Sequence, residues 1–190
     1  MNDSVLRRIH IIGGPGSGKS YAARQLSQRL GIPAYDLDSF FWDSAAQRYG
    51  LRAPDADRDA RLIAITQEPT WIIEGVYYRW LRPSFERADL IFVHRPNVFL
   101  RDWRILKRFM SRKLGIVPTK RETLGDLYRL IEWNHKYDED NLKRAMDLIP
   151  EFEHKVIVCR CADDLLNCVE KEALERRFTG SRPRTGSGEV

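Results

Sequence analysis

The chain has 190 residues, 43% of them hydrophobic and 31% charged, with a formal net charge of +5. This is the make-up of an ordinary globular chain with length for a real core, and it excludes a low-complexity polymer. No apolar run approaches the roughly 18 residues that a membrane span needs, so no membrane partner is expected.

The opening Met-Asn-Asp-Ser lacks the basic-then-apolar build of a secretory signal. A first strand is expected over Arg8 to Ile12, where isoleucines cluster. Gly13-Gly-Pro-Gly-Ser-Gly-Lys-Ser20 follows at once and fits the phosphate-binding pattern G-x-x-x-x-G-K-[ST] without a gap. Tyr21, Ala22, Leu26 and Leu30 then fall on one helical face. Strand, glycine loop and helix together turn backbone N–H groups toward a phosphate at a helix N-terminus. Gly13, Gly14, Gly16 and Gly18 are expected to permit positive φ and close backbone approach, and Pro15 to stiffen the loop. Ser17 completes the cradle. Lys19 is expected on the β- and γ-phosphates, and the Ser20 hydroxyl on Mg²⁺.

A second strand is expected over Ile32 to Leu37, ending in Asp36-Leu37-Asp38. Two carboxylates two apart in extended chain point to one side. One can hold Mg²⁺ through water and the other accept a proton from a substrate hydroxyl; both can also be plain loop acids. Phe40, Phe41 and Trp42 follow. Asp57 to Gln67 reads as a helix. The third strand, Trp71 to Glu74, runs into Gly75, and Glu74 is placed to reach the Mg²⁺ shell or to act as a base. Tyr77, Tyr78 and Trp80 come next, so aromatic residues at two strand ends can wall a pocket for a ring or acyl substrate. Arg79 and Arg82 are candidates for an anionic group on that substrate.

The fourth strand, Leu90 to His94, carries no terminal acid, and His94 reads as structural. Asn97 caps a helix running to Leu114. Its Arg101, Arg104, Arg108 and Arg112 span an arc of about 80°. They form one guanidinium stripe that no acid on the helix neutralises. Such donors suit phosphoryl transfer, whose transition state spreads charge over the moving group. Lys113, Lys120 and Arg121 flank residues 115–119, a candidate lid. Leu124 to Ile149 reads as helix in two pieces, Lys155 to Cys159 as the fifth strand and Ala162 to Phe178 as the last helix. Cys159, Cys161 and Cys168 lack a second ligand pair for zinc. An odd cysteine count suits a reducing, cytoplasmic setting. One domain is expected over residues 1–178, with a Gly-, Ser- and Arg-rich tail over 179–190 expected to be disordered.

Strands alternating with helices argue an α/β fold built on a parallel sheet. On the segments GGPGSGKS, IPAYDLDSFFW, WIIEGVYYRWL, ADLIFVHRPN and the arginine helix, the chain resembles small P-loop kinases of the adenylate-kinase and shikimate-kinase type. More narrowly it is similar to the bacterial topology modulation proteins. In that group the third segment usually reads Trp-Ile-Ile-Asp-Gly-Asn-Tyr; here Glu74 and Val76 stand for the Asp and the Asn. The fourth usually ends Leu-Asp, here His94-Arg95.

The resemblance implies a three-layer P-loop NTPase with five strands in the order 2-3-1-4-5 and helices on both faces. It implies phosphate and metal roles for Lys19 and Ser20, an acceptor-side role for Asp38, and phosphate-binding roles for Arg104 and Arg108. It also implies an adenine-side loop at Arg160 to Asp164. ATP, Mg²⁺ and an unidentified small-molecule acceptor are the implied ligands. Lys19, Asp38, Glu74, Arg104 and Arg108 are the catalytic candidates, and Ser20, Asp36, Asp38 and Glu74 the metal candidates. Two alternatives stand beside phosphotransfer. One is a nucleotide-dependent regulator that binds nucleic acid, for which no helix-turn-helix or zinc module is visible. The other is an NTPase switch without a small acceptor.

Overall fold

The computed structural model describes residues 6–42, 52–115, 123–148 and 150–179, with side chains in the last segment described to 172. The expected lid at 116–119, with Lys120 and Arg121, lies outside the described residues, as does the tail from 180.

Five strands make one parallel sheet in the order β2-β3-β1-β4-β5. They are β1 (Arg8–Gly13), β2 (Ala34–Asp36), β3 (Trp71–Gly75), β4 (Leu90–His94) and β5 (Val156–Cys159). β3 and β4 are buried along their whole length. A parallel strand covered on both faces reads as a continuous apolar run, which is why these segments show no polar alternation. Side chains still alternate between faces. Ile9, Ile11, Ile72 and Phe92 pack against α1 (Lys19–Leu30) and α8 (Ala162–Thr179). Ile12, Trp71, Ile73, Ile91 and Val93 face the other core, shared with Leu62 of α3 (Asp55–Gln67), Phe85 of α4 (Arg82–Arg87) and Tyr137 of α6 (Leu124–Tyr137).

Several boundaries differ from expectation. β2 pairs only over Ala34–Asp36. Leu37 is fully buried in helical backbone and starts the short α2 (Asp38–Phe41). Asp38 is therefore not the end of an extended segment, and the same-side argument for Asp36 and Asp38 fails. α4 was not anticipated: its six residues with Pro83 near the start carry too little periodicity to read. Asn97 does cap α5 (Val98–Lys113), accepting the Phe99 N–H at 2.9 Å. The expected 124–149 helix divides at a wide π turn, Asp138–Leu142, before α7 (Lys143–Leu148). Among the described residues no helix is long and apolar enough to cross a membrane.

The register brings the carboxyl ends of the strands into line. Gly13 lies beside His94, and Glu74 lies beside both Ile11 and Asp36. Ligands of open parallel sheets bind at this edge.

Candidate active site

The loop between β1 and α1 closes through Ser17 N–H to the Gly14 carbonyl at 3.2 Å. Gly16 (φ 69°) and Gly18 (φ 97°) adopt left-handed backbone that an L side chain rarely accepts. Gly13 and Gly14 do not, contrary to expectation, and what they supply is space. A Cβ on Gly13 would stand 2.6 Å from the His94 carbonyl, and one on Gly14 would strike the Arg101 guanidinium and the Tyr137 ring. Pro15 is buried within the loop, and so is the Ser17 hydroxyl, which has no hydrogen-bond partner.

Lys19 Nζ lies 3.9 Å from Glu74 Oε2. Glu74 is 3% exposed, and its Oε2 receives no hydrogen bond. Burial is the main force raising its carboxyl to about 7, helped by the charges of Asp36 and Asp38 and opposed by Lys19 and a hydrogen bond from Ser20. Asp36 is likewise raised, by desolvation first and by Asp38, although it accepts the Asp38 N–H at 2.9 Å. Lys19, Ser20, Asp36, Asp38 and Glu74 thus form one electrostatic neighbourhood, as the sequence reading grouped them.

An orphaned carboxylate oxygen beside a serine hydroxyl fits a hard cation with oxygen ligands. No group of three His, Cys, Asp or Glu side chains converges as a cage among the described residues. Mg²⁺ usually takes one or two carboxylates and fills its shell with water and phosphate oxygens, so it needs no such cage.

The arginine stripe divides. Arg101 is 1% exposed and ion-paired to Asp138 at 2.9 Å, an acid from the π turn that also holds Arg95 at 3.1 Å. Arg104 donates to the carbonyls of Ser17 at 2.5 Å and Gly16 at 3.4 Å. Both guanidiniums therefore brace the loop itself. Arg108 instead lines a cleft between α5 and α6 with Trp42, Phe109 and Trp133, and no residue of the phosphate loop lines it. Arg112 lies a further turn along the same helix. Asp102, off the stripe, accepts Asn134 at 2.8 Å and His135 at 2.7 Å. His94 is buried, neither ring nitrogen has a partner, and burial with the nearby Arg104 and Lys19 charges pushes it down to about 4. It is a neutral ring at physiological pH. Arg160 is exposed just beyond β5.

On the β2 and β3 side an open cleft of about 660 Å³ is lined by Phe41, Tyr77, Tyr78 and Trp80, together with Arg52, Arg58, Arg79, Asn141 and Arg144. Phe41 and Tyr77 stack at 4.5 Å, and Tyr77 lies 5.6 Å from Trp80. The aromatic wall expected from sequence forms, except that Phe40 packs on the core and Trp42 joins the α5/α6 cleft. The Tyr77 hydroxyl donates to Asp38 Oδ1 at 2.7 Å, which ties one wall residue of the cleft to this acid. Desolvation and the Asp38 charge hold that phenol above its ordinary range, so it stays a donor. Arg82 does not face the cleft: it pairs with Glu86 and Glu151, both at 2.8 Å. Arg52, Arg58, Asn141 and Arg144 were missed by the sequence reading. They come from two stretches far apart in the chain, 52–58 and 141–144, and carry no local pattern.

No family model matches the sequence, and neither does any curated protein. Solved structures do match. A gluconokinase from Sinorhizobium meliloti 1021 superposes with a TM-score of 0.55 at 15% identity, covering 93% of this chain and 98% of that one. A shikimate kinase from Acinetobacter baumannii in complex with shikimate gives 0.54 at 18%, covering 92% and 97%. A sugar kinase from Janibacter sp. HTCC2649 gives 0.54 at 15%, covering 94% and 99%. At such identities the likeness establishes architecture alone. The chain has the three-layer P-loop kinase fold: a five-stranded parallel sheet in the order 2-3-1-4-5 with helices on both faces.

Proposed function

We propose that this chain is an ATP-dependent phosphotransferase acting on a hydroxyl of a small molecule. The observation that carries the reading is the pairing of two sites along one sheet edge. A braced phosphate loop with Lys19 lies on one side, and on the other an aromatic cleft whose Tyr77 bonds to Asp38.

Lys19 and the loop N–H groups bind the β- and γ-phosphates. Ser20 and Glu74 would hold Mg²⁺, with Asp36 and Asp38 in its outer surroundings; the ion supplies charge neutralisation to the phosphates. Asp38 orients the acceptor. One carboxylate oxygen is occupied by the Tyr77 hydroxyl, which leaves the other to take the acceptor's proton as its oxygen bonds to phosphorus and ADP departs. Arg104 is a positioning residue here, since its donors are spent on loop carbonyls. Arg101 acts likewise through its contact with Gly14. The P-loop kinase folds of the gluconokinase, shikimate kinase and sugar kinase support phosphotransfer over other uses of the loop.

The test is ADP formation across a panel of hydroxyl compounds, with the phosphorylated product identified by phosphorus NMR. Acceptor-dependent ADP with a matching phosphate ester is the expected result. Steady ADP release that no acceptor alters points instead to an NTPase switch. Salt-steep retention on duplex DNA points to nucleic acid. Asp38→Asn should lower kcat by about a thousandfold while the KM for ATP stays within threefold.

A further inference from the structure

Helix α5 meets the phosphate loop with one side only. Arg101, Ile105 and Phe109 are buried along it, and a Cβ on Gly16 would strike the Arg101 carbonyl and the Ile105 side chain. The outward side is apolar and open. Phe99, Trp103, Leu106 and Met110 are all exposed, and they recur at spacings of 4, 3 and 4 inside an arc of about 60°. Helix α6 repeats the pattern. Leu124, Tyr128, Ile131 and His135 have the same spacing, with Ile131 half-buried and the other three exposed. The two stripes adjoin: the Phe99 and His135 rings are 6.3 Å apart, and His135 Nε2 lies 2.7 Å from Asp102 of α5. Among the described residues, eight of the fourteen exposed large apolar side chains fall between Phe99 and Tyr128, so the exposure is concentrated rather than scattered.

A 4-3-4 spacing is the seam by which helices pack on other helices. Here two adjacent helices carry it on a face that stays open. Phe99, Trp103 and Tyr128 are 72%, 61% and 69% exposed, which leaves about 400 Å² on three rings alone. With the leucines and Met110 the face reaches roughly 800 Å², more than the largest apolar patch of a typical monomer and level with what each partner buries in a standard protein interface.

The charges at its edges point to the occupant. On each helix the apolar stripe is bounded on one side by the neighbouring helix and on the other by a rim. The rim position is Lys107 on α5 and Glu132 on α6, both exposed. A lipid surface would select a rim of one sign. A face with one basic and one acidic edge is complementary to itself. When a two-fold axis runs along the helices between two such hairpins, α5 lies over α6 of the other copy. Each Lys107 then comes to the edge that holds Glu132 of the partner subunit.

We propose that this face is the contact between two copies of the chain. The α5–α6 hairpins pack face to face as a four-helix layer, with Phe99, Trp103, Leu106 and Met110 against the α6 stripe of the partner subunit. The contact uses none of the residues assigned to phosphate, metal or acceptor, so it stands independently of the phosphotransfer reading.

Sedimentation velocity with light scattering on the full chain tests this. The native protein should show twice the 22.2 kDa of one chain at high concentration and dissociate on dilution. Trp103→Glu places a charge in the middle of the seam at a position open enough for the subunit to fold. It should raise the dimer dissociation constant about 100-fold or more. Lys107→Glu, which sets like charges along the edge, should raise it about tenfold, and Lys107→Glu/Glu132→Lys should return it to near the native value. Circular dichroism checks the fold of each variant; if Trp103→Glu does not fold, the charge-swap series decides alone. A native chain that is monomeric at all accessible concentrations overturns the proposal, as does a monomer that floats with phosphatidylserine vesicles. A dimer that Trp103→Glu leaves intact uses another face and overturns it too. A double variant no tighter than Lys107→Glu alone overturns the pairing of α5 with α6 of the partner subunit.

Discussion

The two sides of the sheet edge handle arginine in opposite ways. On the phosphate side, Arg101 and Arg104 have their donors taken by Asp138 and by the loop's own carbonyls. On the cleft side, Arg79 donates to a neutral oxygen, the Tyr78 phenol, at 3.2 Å. Guanidiniums whose partners are already in the protein hold a shape ready before any ligand arrives. Guanidiniums without an anion have binding energy in reserve for one. On the phosphotransfer reading the loop side is therefore preorganised for one invariant group, the triphosphate, and the cleft side is where selectivity among acceptors would reside.

Breaking the phosphate side should give the largest effect. Lys19→Ala removes the ammonium that the proposed function places on the β- and γ-phosphates and that lies 3.9 Å from Glu74 Oε2. ATP turnover should fall by about a thousandfold or more, with the folded protein retained by circular dichroism. Unchanged turnover would detach the loop from the chemistry.

The next effect separates structural from ligand-facing arginines. Asp138→Ala leaves the fully buried Arg101 without its counter-charge, which costs about 3 to 5 kcal/mol of stability. Gly14 should feel it too, because Arg101 and Tyr137 fill the space where its side chain would be. Arg144→Ala, six residues along the chain, should leave the denaturation midpoint where it was. Urea titration of both variants measures the contrast, and equal midpoints for the two would erase it.

The carboxyl of Glu74 allows a finer test, made without nucleotide or Mg²⁺. Its folded value is raised from 4.5 to about 7. Between those values the native protein binds more protons than the unfolded chain does, so stability falls as pH rises through the window and levels off above 7. The full loss is roughly 3 kcal/mol. Glu74→Gln cannot ionise and lacks this slope. The stability of the variant minus that of the native protein should therefore grow from pH 4.5 to 7 and stay flat beyond, while the buried His94 contributes equally to both. A difference that is constant across the window would show Glu74 ionised normally.

Much of this was legible because it is local. The phosphate loop is eight consecutive residues, and the sheet follows from apolar runs separated by helical periods. The arginine stripe on α5 was read correctly as one arc, yet its members do different work. The partner that claims Arg101 lies 37 residues further on, at a π turn that no periodicity announces. The Tyr77–Asp38 bond joins positions 39 residues apart. Asp38 itself was misassigned to an extended strand because Leu37, an apolar residue, suits a strand and a buried turn equally. Chain-distant pairings decide which side chains are spent and which are available, and they are set by packing rather than by local pattern.

The smallest expected effect tests whether that distinction holds within one short stretch. Arg79 and Arg82 stand three residues apart, and the sequence treats them as a pair of candidate anion binders. The structure separates them. Arg82 begins α4 and is held between Glu86 and Glu151, on a surface that does not line the cleft. Two carboxylates already satisfy its fork, and an exposed pair of this kind adds little to stability at ordinary salt. Arg82→Ala should therefore leave the acceptor KM within twofold, with kcat and the denaturation midpoint unchanged, whereas Arg79→Ala raises that KM several-fold. Steady-state kinetics on the two variants with one acceptor suffices. Equal KM changes would mean that general positive charge, rather than a contact of Arg79 within the cleft, draws the acceptor in, and such a field effect would fade for both variants as salt is raised.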